Sequence, residues 1–135
     1  MRNVIDNFGR NAGKIWGALN KYGPQEQNKL MKTTQLTNEE LYTAIGWLAK
    51  ENKICLNDNV YSLGETNLEW WIGGDAGKIW NVLNTCEEVD MNYIPKLAGV
   101  TERDAYCALG WLAKEGKISA KKVIPKKPQI KFKLK

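Results

Sequence analysis

The chain has no histidine, which removes the commonest general base and the commonest metal ligand together. Its three cysteines, Cys55, Cys86 and Cys107, stand at wide, unmatched spacings, so neither a disulfide framework nor a zinc site is expected, and all three read as free thiols. Long apolar runs are missing too: no stretch nears the roughly 20 apolar residues of a membrane span. The segment Met1-Arg-Asn-Val-Ile-Asp-Asn-Phe-Gly9 lacks the apolar core of a signal peptide. A cytoplasmic protein without membrane contact is the expectation. Gly73-Gly-Asp-Ala-Gly-Lys78 has the wrong glycine spacing for a phosphate loop and no Ser or Thr after its lysine, so it reads as a helix start. Without a carboxylate pair in an identifiable pocket, no enzyme activity, cofactor, metal or small-molecule ligand is expected.

What the chain has instead is a repeat. Residues 12–54 return without a gap as residues 76–118, each position displaced by 64, with 20 identities in 43 pairs. Identities crowd at both ends: Ala12-Gly-Lys-Ile-Trp16 against Ala76-Gly-Lys-Ile-Trp80, and Gly46-Trp-Leu-Ala-Lys-Glu51 against Gly110-Trp-Leu-Ala-Lys-Glu115. One small domain is used twice, with expected limits of 1–68 and 69–135. At about 65 residues each, the units lie near the lower size for a lone core, so each is expected to lean on the other. Residues 65–71, with Trp70-Trp71, suggest a fixed arrangement; the aromatic pair reads as packing between units rather than as a platform for bases.

Charge is uneven along the chain. Residues 117–135 hold eight lysines and no acid; taking them from the 20 basic residues leaves 12 against 15 acidic ones, so residues 1–116 carry −3 although the whole carries +5. Such a basic end is either a nucleic-acid footprint or a solubilising tail.

Both units share one order of elements. A first helix is expected from near Asn11 and Asp75, natural caps, with Ile15, Trp16 and Leu19 or Ile79, Trp80 and Leu83 at helical spacing. Phe8 and Ile72, just upstream, are placed to pack back on that first turn. A shorter helix follows over 26–34 and 90–98, with Asp90 as cap and Pro95 making the second copy less regular. The third helix opens on a capping box at Thr37 and Glu40, or its weaker form at Thr101 and Asp104. It buries Leu41, Ala44, Ile45 and Leu48, or Ala105, Ala108, Leu109 and Leu112. Lys53 to Leu63 then reads as two strands around Asn57-Asp-Asn59, and 117–124 with 129–134 as two strands around a proline-bearing loop.

Three helices and a β-hairpin give an α+β fold, mostly α, of two tandem winged helix-turn-helix domains. The string Ala-Gly-Lys-Ile-Trp with the later Ala-Ile/Leu-Gly-Trp-Leu-Ala-Lys-Glu-x-Lys-Ile resembles a small family of bacterial and archaeal winged helix-turn-helix domains of unknown function. The resemblance covers most of both units and implies the fold and a regulatory or DNA-binding role. It assigns no site residues.

The face of the third helix opposite its buried stripe presents Glu39, Thr43, Gly46, Trp47 and Lys50, or Arg103, Cys107, Gly110, Trp111 and Lys114. Acids near each helix start meet phosphates badly, and the Asn, Gln or Arg cluster that reads base edges is missing. DNA contact is therefore expected to centre on the second unit, through Arg103, Lys114, Lys117, Lys121, Lys122, Lys126 and Lys127, as salt-sensitive and largely sequence-independent binding. Gly46, Trp47, Gly110 and Trp111 support a different role. A mid-helix glycine costs about 1 kcal/mol relative to alanine, yet both copies keep one beside a large aromatic. Either an upstream segment or the wing of the same unit packs there, or the face docks another protein or the other unit.

Overall fold

The computed structural model describes residues 3–123 and 129–135. In the first unit α1 (Val4–Tyr22), β1 (Gln25–Glu26), α2 (Gln27–Thr34) and α3 (Asn38–Lys50) precede the hairpin β2 (Ile54–Asn57) and β3 (Val60–Leu63). A π-helical turn, Glu69–Gly73, leads into the second unit: α4 (Gly74–Cys86), β4 (Glu88–Asp90), a 3-10 turn Met91–Tyr93, α5 (Ile94–Ala98), α6 (Glu102–Lys114), β5 (Ile118–Val123) and β6 (Gln129–Leu134). Each unit closes on a three-stranded antiparallel sheet, ordered β1-β3-β2 and β4-β6-β5.

The first helix begins about two turns before the expected start at Asn11. Asn3 is the cap, its side chain accepting the Asp6 N–H at 2.8 Å. From there Phe8, Ala12, Ile15 and Leu19 follow at helical spacing and are buried. Asn11 is not a cap but a buried mid-helix residue, and Phe8 is not a staple but part of the helix. Asp75 likewise lies inside the first turn of α4, already preceded by the π-helical turn. Gly23 ends α1 with φ 81°, donating its N–H to Leu19 O at 2.9 Å, the left-handed stop that favours glycine.

The capping box of α3 forms in full: Glu40 N–H donates to Thr37 Oγ1 at 3.2 Å and Thr37 N–H to Glu40 Oε1 at 3.0 Å. At α6 the Asp104 N–H donates to Thr101 Oγ1 at 3.1 Å, while the shorter Asp side chain makes no return bond. Both expected stripes of the third helices are buried. The first hairpin turns on Asp58 and Asn59, with φ 52° and 65°, a conformation that Asp and Asn tolerate better than other side chains.

The strands β1 and β4 have no counterpart in the sequence reading, because two or three residues are too short to show a period of two. They lock the connection after the first helix to the wing: Gln25 pairs with Tyr61, and Val89 with Phe132. These pairs put Tyr61 and Phe132 on the inner faces of their sheets, where both are buried. Phe132 then reaches across the units, its ring centroid 6.3 Å from that of Phe8.

Candidate nucleic-acid interface

The faces of α3 and α6 that would enter a major groove are turned toward each other, and this is the most extensive helix–helix contact among the described residues. Thr43, Gly46, Cys107 and Gly110 are buried in it. The helices cross where neither carries a Cβ: one added at Gly46 would overlap the Cys107 carbonyl, and one at Gly110 the Thr43 carbonyl. That close approach accounts for the roughly 1 kcal/mol per glycine that the helices forgo.

The two tryptophans pack in the other direction. A Cβ on Gly9 would lie 3.0 Å from the Trp47 ring, and one on Gly73 3.4 Å from the Trp111 ring, so each indole rests on the first-helix region of its own unit. Across the seam Lys50 Nζ stands 5.1 Å from the Trp111 ring centroid and Lys114 Nζ 5.4 Å from that of Trp47. The same lysines pair with Glu115 at 3.6 Å and Glu51 at 3.7 Å. Every contact has its mirror at a displacement of 64, the pattern of an isologous dimer interface made within one chain. Half-exposed ion pairs of this kind contribute at most about 1 kcal/mol each, so close packing at the glycines contributes more to holding the seam.

The outcome divides the sequence expectations. Gly46 and Gly110 meet the other unit, and Trp47 and Trp111 meet an upstream segment of their own. Gly46, Gly110 and Trp111 are buried, whereas Trp47 is part-buried and lines an open surface cavity with Gly9, Gly13 and Trp16. Burial also corrects the expectation that these helix faces are outward. The Cys107 thiol, between the helices, is pushed up to about 12 by burial, which keeps it a neutral thiol. Trp71 is half-buried under the Arg103 guanidinium, 5.0 Å from its ring centroid, but Trp70 is 84 % exposed and not packed between units. Successive side chains on a helical turn point in different directions, so the two indoles do not share one buried face.

The five expected nucleic-acid residues that the structure describes do not form one patch. Arg103 stacks on Trp71 and lies 3.5 Å from Asp104; Lys114 is engaged in the seam; Lys117 pairs with Glu115 at 3.2 Å. Lys121 and Lys122 sit on opposite faces of β5, Lys121 within 3.2 Å of Glu88. Lys126 and Lys127 lie outside the described residues.

What sequence reading left out is the pair of lysines on the last strand, Lys131 and Lys133. Lys131 and Lys133 alternate with buried Phe132 and therefore share the outer face of the second sheet. Lys131 is opposite Lys121 on one side and Asp90 on the other, and Lys133 is opposite Ser119 and Glu88. The outer face thus combines Lys121, Lys131 and Lys133 with two carboxylates along its β4 edge. The period-two run Lys131-Phe-Lys133-Leu-Lys135 was the signal that could have placed it.

Two three-helix units, each with a third strand added to its wing and joined through their recognition helices, define a tandem winged helix protein folded as an internal pseudo-dimer. The chain belongs to the family described as winged helix-turn-helix domain (DUF2582), whose model matches residues 1–63 and again residues 66–127. No curated protein and no solved structure gives a match. Among the described residues, no helix is long and apolar enough to cross a membrane.

Proposed function

We propose that the protein binds nucleic acid, DNA in the first place, as a regulatory winged helix protein whose contact is the outer face of the second wing and not an inserted recognition helix. The observation carrying this reading is the position of the lysines: Lys121, Lys131 and Lys133 project from one sheet face, while the groove-reading faces of α3 and α6 are spent on each other. A sheet face of this kind meets phosphates and no base edges, so the affinity is salt-dependent and indifferent to sequence. Glu88 and Asp90 beside the lysines limit its strength. The first wing, with Asn57-Asp-Asn59 at its tip, carries no comparable charge and stays free of the duplex.

Titrating fluorescent duplex DNA of random sequence at about 50 and 200 mM salt tests the proposal, since phosphate-driven binding falls steeply over that range. Binding at the lower salt that weakens at the higher, and is lost on combined Lys121→Glu, Lys131→Glu and Lys133→Glu substitution, is the expected result. No binding at the lower salt, or full binding by the charge-reversed protein, would remove the wing from the account.

A further inference from the structure

Because the units are joined by reciprocal contacts, features beside the seam have counterparts at a displacement of 64. One such pair differs in kind. On the α6 flank Trp71 packs on the core with the Arg103 guanidinium over its ring, and the space left beside Arg103 is lined mostly by polar side chains, among them Glu26, Gln27, Asn28 and Asn59. On the α3 flank the corresponding residues are Asn7 and Glu39, both exposed, and a half-open cavity of about 330 Å³ remains. That volume is within the range of roughly 300–1,000 Å³ typical of small-molecule sites.

The lining suits one class of occupant. Part-buried Val4 and Ile130 give the cavity an apolar wall, backed by the buried rings of Phe8 of the first unit and Phe132 of the second, inclined at 35°. Glu39 and Glu40 bring negative charge to the opening, and neither forms an ion pair among the described residues. Tyr106 stands in the wall with its hydroxyl pushed up to about 12 by burial and by Glu102 and Glu39, so it remains a hydrogen-bond donor at neutral pH. Lys122, on the rim, is exposed and free to turn to solvent.

We propose that this cavity is a binding site for a small planar aromatic cation. Its ring lies against the apolar wall of Val4, Phe8 and Ile130, in the role of Trp71 on the other flank, and its positive group faces Glu39, in the role of Arg103. The expectation of no small-molecule ligand rested on the lack of a carboxylate pair in an identifiable pocket, and a cavity formed between two units leaves no mark in the sequence of either.

The probes are benzamidinium and tryptamine, with benzoate and indole-3-acetate as anionic controls, followed by NMR on the intact chain without nucleic acid. Both cations are expected to give saturable shifts centred on Phe8, Thr43 and Tyr106, with the anions binding at least tenfold more weakly. Combined Asn7→Trp and Glu39→Arg substitution transplants the Trp71–Arg103 stack into the cavity and is expected to abolish binding while the fold persists. Should that variant fail to fold, Glu39→Gln serves alone and is expected to weaken cation binding roughly tenfold, the loss of one charge-assisted contact. Absent saturable shifts, anions binding as well as cations, or unchanged binding by either folded variant would overturn the site. None of these readouts depends on DNA, so failure of the wing proposal leaves them intact.

Discussion

Replacing Gly46 by alanine sets two effects of known size against each other. In an exposed helix interior the change stabilises by about 1 kcal/mol, from the lower backbone entropy of the unfolded chain and better helix propensity. Gly13 and Gly77, with open space where a Cβ would stand, provide that reference in α1 and α4. At Gly46 the new methyl would overlap the Cys107 carbonyl and lie 3.0 Å from the Trp111 backbone N. Both obstacles are main chain, so no rotamer change relieves them and α3 must move off α6. Overpacking costs about 1–3 kcal/mol, and rigid neighbours put this case near the upper end. Subtracting the propensity gain leaves a net loss of about 2 kcal/mol. At roughly 4 °C per kcal/mol for a chain of this size, the Tm falls by about 8 °C. Gly110→Ala, facing Thr43, is expected to match it, and the double variant to lose less than the sum, because one separation of the helices relieves both clashes. Thermal and urea unfolding of Gly13→Ala, Gly46→Ala and Gly110→Ala side by side is the assay. A Gly46→Ala protein that gains stability as Gly13→Ala does would refute the close crossing and the interface built on it.

Two further results are expected. Burial, then the neighbouring Asp104, raises the Asp75 carboxyl above its ordinary 3.8, so its ionised form disfavours the folded state. The penalty is absent below the unfolded value, grows as pH rises through the folded one and persists above it. Asp75→Asn, which installs the residue that the first unit has at position 11, should therefore raise the Tm at pH 7 with the gain fading near pH 3; a gain independent of pH would contradict this. Among the cysteines, exposed Cys86 should react with a thiol reagent in the native protein while Cys107 reacts only on unfolding, and rapid native labelling of Cys107 would mean that the seam opens.

Features decided within a few residues were legible in the sequence. Thr37 and Glu40 specify a helix start by themselves, Asn57-Asp-Asn59 a turn, and Leu41, Ala44, Ile45 and Leu48 a buried stripe. The start of α1 was misplaced because Asn3 and Asn11 are both competent caps; Phe8, in register with Ile15 and Leu19, decides for the earlier one only once Phe132 is there to bury it. Gly46 meets the other unit and Trp47 the first helix of its own, and helical periodicity cannot tell a face sealed by another part of the chain from one left for DNA. Of the lysines expected to meet DNA, those at 114, 117 and 121 prove to be paired with acids, whereas Lys131 and Lys133 acquire a common face only through the pairing of β6 with β5. Pairing partners 10 or more residues apart leave no mark in local pattern.

The central claim is that the recognition faces stay joined while the protein works. NOE cross-peaks between the Trp111 ring and the Lys50 side chain, and between the Trp47 ring and Lys114, report the seam directly, and they can be followed as duplex DNA is added at about 50 mM salt. The account expects both sets in the free protein, at any protein concentration, and their survival at saturation while Lys131 and Lys133 resonances shift. Cross-peaks that are missing from the free protein, or that vanish as DNA binds, would contradict it and return α3 and α6 to the major groove.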